Sequence, residues 1–191
     1  MKKIVITGAT GMIGTNLVKE LVKKNKKVLA IVRPKSPKIK NIKHPLVEII
    51  QADLNELQNI TSFPEIYDTF FHLGWEGAFG NSRNDINMQM KNISYSLEAV
   101  KLAKKLGCNT FIGAGSQAEY GRTGEKIGQN TSINPETAYG IAKYCSGKMT
   151  KILADQLGMK HIWTRILSIY GPYDNENTLV MSSIREMIEN H

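Results

Sequence analysis

The chain has 191 residues, with 25 lysines and arginines against 17 acids and a formal net charge of +8. That length suits one domain with its own core, and 41% hydrophobic with 22% charged residues excludes general disorder. No apolar run reaches the roughly 18 residues of a membrane span, no signal peptide precedes the first strand-like segment, and two cysteines without metal or redox spacing (Cys108 and Cys145) read as small buried side chains, so a cytoplasmic protein with no metal and no membrane partner is expected.

Residues 3–7 form a short apolar run that ends in Thr7-Gly8. Ile13, Leu17, Val18, Leu21 and Val22 then share one helical stripe over residues 13–22, and a second apolar run covers Val28 to Val32. Strand, Gly-rich turn, helix and strand make one βαβ unit. Further strands are expected at 47–51, 69–73, 110–114 and 161–166. A long helical pattern from about Asn84 to Leu106 carries Met90, Ile93, Leu97 and Val100. Another begins with Asn134 as N-cap and Pro135 in the first turn, and runs to about Leu157 before Gly158. A last helix is expected over 178–189. Buried strands alternating with helices predict an α/β fold: a doubly wound parallel sheet in a three-layer α/β/α arrangement.

Four places carry chemistry. Gly8-Ala9-Thr10-Gly11-Met12-Ile13-Gly14 puts glycines at three-residue spacing between a strand and a helix, where backbone N–H groups and the positive helix end can approach a pyrophosphate. No lysine precedes Thr15, so this is not a P-loop. Ser116 follows the fifth strand, at the sheet edge where open α/β sheets bind ligands. Tyr139 and Lys143 are four apart on a helix and share a face. A free phenol titrates near about 10, and a neighbouring ammonium favours its ionised form, which would let Tyr139 exchange a proton near neutral pH. His72-Leu73-Gly74-Trp75 closes the fourth strand; His72 there reads as a satisfied strand-end histidine, and Trp75 and Phe79 as packing or as a substrate mouth.

Thr7-Gly8-x-x-Gly11-x-x-Gly14, Gly115-Ser116-Gln117-Ala118-Glu119-Tyr120-Gly121, Tyr139-Gly140-Ile141-Ala142-Lys143 and Arg165 with Tyr170-Gly171-Pro172 together resemble the extended short-chain dehydrogenase/reductase superfamily, the nucleotide-sugar epimerases, dehydratases and ketoreductases. The resemblance implies a Rossmann-type nicotinamide-binding domain over residues 1–175, and over 176–191 the start of a C-terminal substrate lobe that is largely missing. It implies cofactor contacts from Gly8, Thr10, Gly11, Met12, Ile13, Gly14, Asp53, Leu54, Leu73, Gly74, Trp75, Tyr139 and Lys143. Ser116, Tyr139 and Lys143 would be catalytic, with Ser116, Gln117 and Ser168 toward the substrate and Asn92 supporting the active-site backbone. Where NAD-specific sites place an acid at the end of the second strand, this chain has Val32 followed by Arg33-Pro34-Lys35. The cations favour a 2′-phosphate, hence NADP over NAD.

Departures from the family pattern narrow the reaction. Gln117-Ala118 replace the Asp-Glu that performs elimination in the 4,6-dehydratases, so ketoreduction or epimerisation of a sugar nucleotide is expected, in deoxysugar or surface-polysaccharide synthesis. Ser168 stands where the family has Asn, and Tyr120 lacks a lysine four residues on, which leaves it to packing or substrate contact. A reductase of another carbonyl and a non-catalytic NAD(P)-binding sensor or scaffold are the rivals. The lysines are dispersed and not interleaved with aromatics, which suits phosphate-bearing small ligands and not nucleic acid. The two long helices would pair with a second copy as a four-helix bundle.

Overall fold

The computed structural model describes residues 2–61 and 65–189; the outer ends of the two expected spans, residue 1 and residues 190–191, lie outside the described residues. Among the described residues six strands form one parallel sheet: β1 (Lys3–Thr7), β2 (Lys27–Val32), β3 (Val47–Gln51), β4 (Thr69–His72), β5 (Thr110–Ser116) and β6 (Lys160–Ile166). Their order is β3-β2-β1-β4-β5-β6, the Rossmann arrangement, whose winding reverses between β1 and β4. Ligands bind at such a reversal, beyond the carboxyl ends of the strands.

The strands read as near-continuous apolar runs because both faces are covered near the centre. Leu29, Val5, Phe70, Phe111 and His161 are in register across five strands on one face. Helices α2 (Ile86–Lys105) and α3 (Ala138–Gln156) pack side by side, and Ala99, Val100, Ala103 and Ala154 join that row in one core cluster. Ala30, Ile6, Phe71, Ile112 and Ile162 form the row on the opposite face. Helix α1 (Met12–Lys23) covers its β2–β1 end through Val18, Leu17 and Leu21. Helix α4 (Leu179–Glu189) buries none of its residues. No helix among the described residues is long and apolar enough to cross a membrane.

Several boundaries differ from the sequence expectation. Helix α3 starts at Ala138, capped by Thr137, whose hydroxyl accepts from the Gly140 N–H at 3.0 Å. Asn134 and Pro135 remain in the preceding loop. Asn and Thr both cap well; around the cap, Glu136 binds Arg122 at 2.7 Å, and the Ala138 N–H donates to Asn84 Oδ1 at 3.2 Å. Helix α2 starts at Ile86, capped by Asp85, and residues Gly80–Asn84 form a separate 3₁₀ turn. Strand β5 continues to Ser116 because β6 pairs with it that far, Ser116 against Ile166. Cys108 is buried, whereas Cys145 is only half-buried, on α3 beside Met149.

Candidate functional site

The turn after β1 is held by close backbone approach. Gly8 has φ +70°, and a Cβ there would lie 2.6 Å from the Gly74 nitrogen. A Cβ on Gly14 would be driven into the Gly8 carbonyl. The β1 exit, the β4 exit and the start of α1 are therefore pressed together, with no room for side chains between them. Gly11 caps α1 without a side chain, and the first turn holds no acid, so that turn leaves the positive helix end without a neutralising side chain of its own. These features fit an anionic phosphate group. Thr10, Met12 and Ile13 are half-buried around the turn, and Gly11 is exposed.

Gly74 is braced from below. Its N–H donates to Thr7 Oγ1 at 3.4 Å, and that oxygen pairs with His72 Nδ1 at 2.8 Å. His72 Nε2 meets Ser96 Oγ at 3.2 Å. Burial, helped by the Lys143 charge, lowers the His72 pKa to about 3. The imidazole is thus a neutral strut. Leu54 touches Gly74, where a Cβ would lie 2.9 Å from Leu54 Cδ2, while Asp53 forms a capping box with Glu56. Leu73 is half-buried next to Gly74. Arg33 and Lys35 are exposed just beyond β2, at the same carboxyl edge of the sheet.

Ser116, Tyr139 and Lys143 come together at the ends of β4 and β5. Tyr139 is 9% exposed and Lys143 4% exposed. Lys143 Nζ donates to the Ala114 carbonyl at 2.7 Å and lies 3.7 Å from the Trp75 ring centre, against 5.7 Å from the Tyr139 ring centre. Trp75 meets Tyr139 edge-on at 5.9 Å. The Arg83 guanidinium carbon is 4.4 Å from the centre of the Tyr139 ring. Gln117 and Ser168 bond to each other at the exposed rim, the Ser168 N–H donating to Gln117 Oε1 at 3.1 Å.

Burial works against the ionisation expected of Tyr139. Burial raises the phenol above its ordinary range; a hydrogen bond with Ser116 and the Arg83 charge oppose this, and Glu119 adds to it. Burial also brings the Lys143 ammonium down to about 7. The lysine was expected to supply the positive charge on the phenol. Its ammonium is instead turned to the Ala114 carbonyl and the Trp75 face, and desolvation weakens its hold on a proton.

Buried polar side chains fix the loops that carry this site. Gln89 and Asn92, both 1% exposed, project from α2. Gln89 Nε2 donates to the Gly77 and Ser82 carbonyls, each at 2.9 Å, and its Oε1 accepts from Trp75 Nε1 at 2.9 Å. Asn92 accepts from the Glu76 N–H and donates to the Glu76 carbonyl, both at 2.9 Å. Glu119 is fully buried and accepts from the Ser116 N–H at 2.8 Å, Trp163 Nε1 at 3.0 Å and Arg165 Nε at 2.8 Å. Arg165 also donates to the Tyr120 hydroxyl at 3.3 Å. Sequence reasoning passed over Gln89, Glu119 and Arg83. Gln89 stands three residues before Asn92 on the helix, and Glu119 three residues after Ser116 at capping-box spacing. Arg83 had no local signal.

A parallel sheet of this order with a Gly-rich first turn defines a Rossmann-type fold. The chain belongs to the NAD dependent epimerase/dehydratase family, whose family model matches residues 4–191. It is 30% identical over 183 residues to the uncharacterized UDP-glucose epimerase YtcB of Bacillus subtilis (strain 168), covering 89% of this chain and 57% of that protein. It is 32% identical over 146 residues to the dTDP-6-deoxy-L-talose 4-dehydrogenase (NAD(+)) of Aggregatibacter actinomycetemcomitans, covering 73% and 51%. Its fold superposes with a TM-score of 0.83 on the UDP-glucuronic acid 4-epimerase from Bacillus cereus in complex with NAD, at 20% identity over 98% of this chain and 63% of that one. The chain thus spans a little over half the length of the relatives it matches.

Proposed function

We propose that this chain is the nucleotide-binding and proton-handling part of an NAD(P)-dependent sugar-nucleotide ketoreductase or epimerase. The observation that carries the reading is a buried Tyr139, hydrogen-bonded to Ser116 and four residues from Lys143, beside the Gly8–Gly74 contact. Gly8 to Gly14 would hold the pyrophosphate, Asp53 and Leu54 the adenine side, and Leu73, Gly74, Trp75 and Lys143 the nicotinamide side. A nicotinamide ring bound there supplies the hydride acceptor or donor at its C4. Ser116 Oγ bonds the reacting oxygen of the sugar. Tyr139 gives that oxygen a proton during reduction and removes one during oxidation. Gln117 and Ala118 cannot ionise, so this site offers no carboxyl pair in those positions for eliminating water.

The relatives act on UDP- and dTDP-sugars by their names, which supports a nucleoside diphosphate sugar as substrate here, and a place in deoxysugar or surface-polysaccharide synthesis. A net charge of +8 suits ligands with several phosphates. Exposed Arg33 and Lys35 favour NADP, whereas the named relatives point to NAD. Competition titration decides between them: tighter NADP binding that is lost in Arg33→Ala supports the first, and tighter NAD binding the second. Ile141, Met149 and Ile152 are exposed on the outer side of α3, where a groove of about 380 Å³ is lined by Leu97, Met149, Ile152 and Leu153. We assign that face to a second copy, as a four-helix bundle, and light scattering at the mass of one chain would reject it. Retention of both Tyr139 and Lys143 weighs against a sensor without chemistry. The deciding assay is NADPH oxidation by a 4-keto-6-deoxy nucleotide sugar, with Tyr139→Phe as control. Full activity in that variant refutes the proposal.

A further inference from the structure

Four groups face the Tyr139 phenol: Ser116 from β5, Lys143 from α3, Glu119 from the turn after β5, and Arg83 from the turn Gly80–Asn84. Two of the charges are engaged elsewhere. Glu119 is paired with Arg165 at 2.8 Å. Lys143 points its ammonium at the Ala114 carbonyl and lies under the Trp75 ring. Arg83 differs from both. Its one hydrogen bond among the described residues is a long one, Nη1 to the Ala78 carbonyl at 3.4 Å, and no carboxylate lies within ion-pair distance of it among them.

The position of Arg83 is built. Gln89 holds the carbonyl of Ser82, the residue before it, and the Trp75 indole; Asn92 holds both backbone groups of Glu76. The loop that carries Arg83 is therefore clamped at several points to one buried face of α2. A guanidinium stacks well on an aromatic face, keeps its charge over the working pH range and is weakly hydrated. Its attraction for a phenol ring grows as the ring gains negative charge.

We propose that Arg83 is a positioning residue of the Tyr139 site: a fixed cation on the phenol face that favours the phenolate and takes the tuning role that Lys143 only partly fills. Arg83 acts through Tyr139 and touches no reacting atom. The inference rests on Tyr139 being the proton carrier, but its test needs neither substrate nor nucleotide. An opposite charge within about 4–6 Å lowers an acid's pKa by about 1–3, which sets the size of the effect.

The experiment labels the tyrosine ζ-carbons with ¹³C, assigns Tyr139 through the Tyr139→Phe spectrum, and titrates the nucleotide-free chain with pH. Arg83→Met keeps much of the apolar stem and removes the charge; Arg83→Lys restores a charge. The Arg83→Met midpoint should rise by about one pH unit or more, which is about ten-fold less phenolate at a given pH. Arg83→Lys should recover the larger part, and the thermal midpoints of all three proteins at neutral pH should agree. A structural role alone would move the thermal midpoint and leave the titration in place. Equal phenolate fractions in wild type and Arg83→Met at the most alkaline pH where both stay folded, including none in either, would overturn the proposal. A chain that shifts as expected but binds neither NAD nor NADP would refute the proposed function and leave standing only the coupling of Arg83 to the Tyr139 phenol.

Discussion

The two faces of the sheet are built alike but finished differently. On the α2–α3 face Leu29, Val5, Phe70 and Phe111 are fully buried, Phe70 stacks on Phe111 at 5.8 Å, and His161 at the β6 end is half-buried. On the α1 face the row starts equally closed, with Ala30 and Ile6 at 0% exposure, and ends with Ile162 at 37%. Phe71 and Ile112 lie half-buried between them. Beyond β6 the exposure continues through Leu167, Ile169 and Tyr170 into α4, where Leu179, Met187 and Ile188 stand out from the surface. The closed side carries Tyr139 and Lys143, both buried on α3. Gln117 and Ser168 stand exposed toward the open side.

The largest effects should fall on the closed side. Tyr139→Phe should lose about 10²- to 10⁴-fold in turnover while nucleotide binding, followed by Trp75 and Trp163 fluorescence, is kept; loss of binding as well would mean that the phenol belongs to the cradle. Phe111→Ala should cost about 3–5 kcal/mol in urea unfolding. Ile162→Ala, one strand over on the opposite face, should cost under about 1 kcal/mol, and equal costs would erase the contrast between the faces.

His72 tests the same contrast by pH. Its pKa falls from 6.5 to about 3 on folding, so the stability of the neutral buried form is complete above pH 6.5 and is lost as pH drops toward about 3. Unfolding free energy should decline by a few kcal/mol over that window, and His72→Gln should flatten the slope. An unchanged slope would show that other groups set acid stability. Gly14→Ala should cost about 1–3 kcal/mol through overpacking against Gly8, despite alanine's better helix propensity, and should weaken nucleotide binding in titration. At the small end, Met187→Ser and Ile188→Ser on α4 should stay within about 0.5 kcal/mol. A larger loss would show that this helix covers something.

Much of this was legible from residue order, for a physical reason. Strand runs such as Val28–Val32, the α1 stripe and the glycines at 8, 11 and 14 are local patterns, and local geometry depends on near neighbours. The spacing of Tyr139 and Lys143 likewise implies a shared helix face, and they share one. The start of α3 differs from the expectation because Thr137, as good a cap as Asn134 and three residues on, takes the Gly140 N–H. Cys145 was misplaced because exposure depends on what packs against α3, not on the residue type.

What the sequence by itself determined is the alternation of elements, the Gly-rich turn after β1 and the presence of a tyrosine, a lysine and a serine at spacings that let them meet. What only the tertiary structure decided is the charge that each of them meets. Arg83 reaches Tyr139 from 56 residues away, Arg165 reaches Glu119 from 46, and the Lys143 ammonium is turned to the carbonyl of Ala114. Coulomb interaction and desolvation depend on distance and burial in space, and neither quantity is written in the order of the residues.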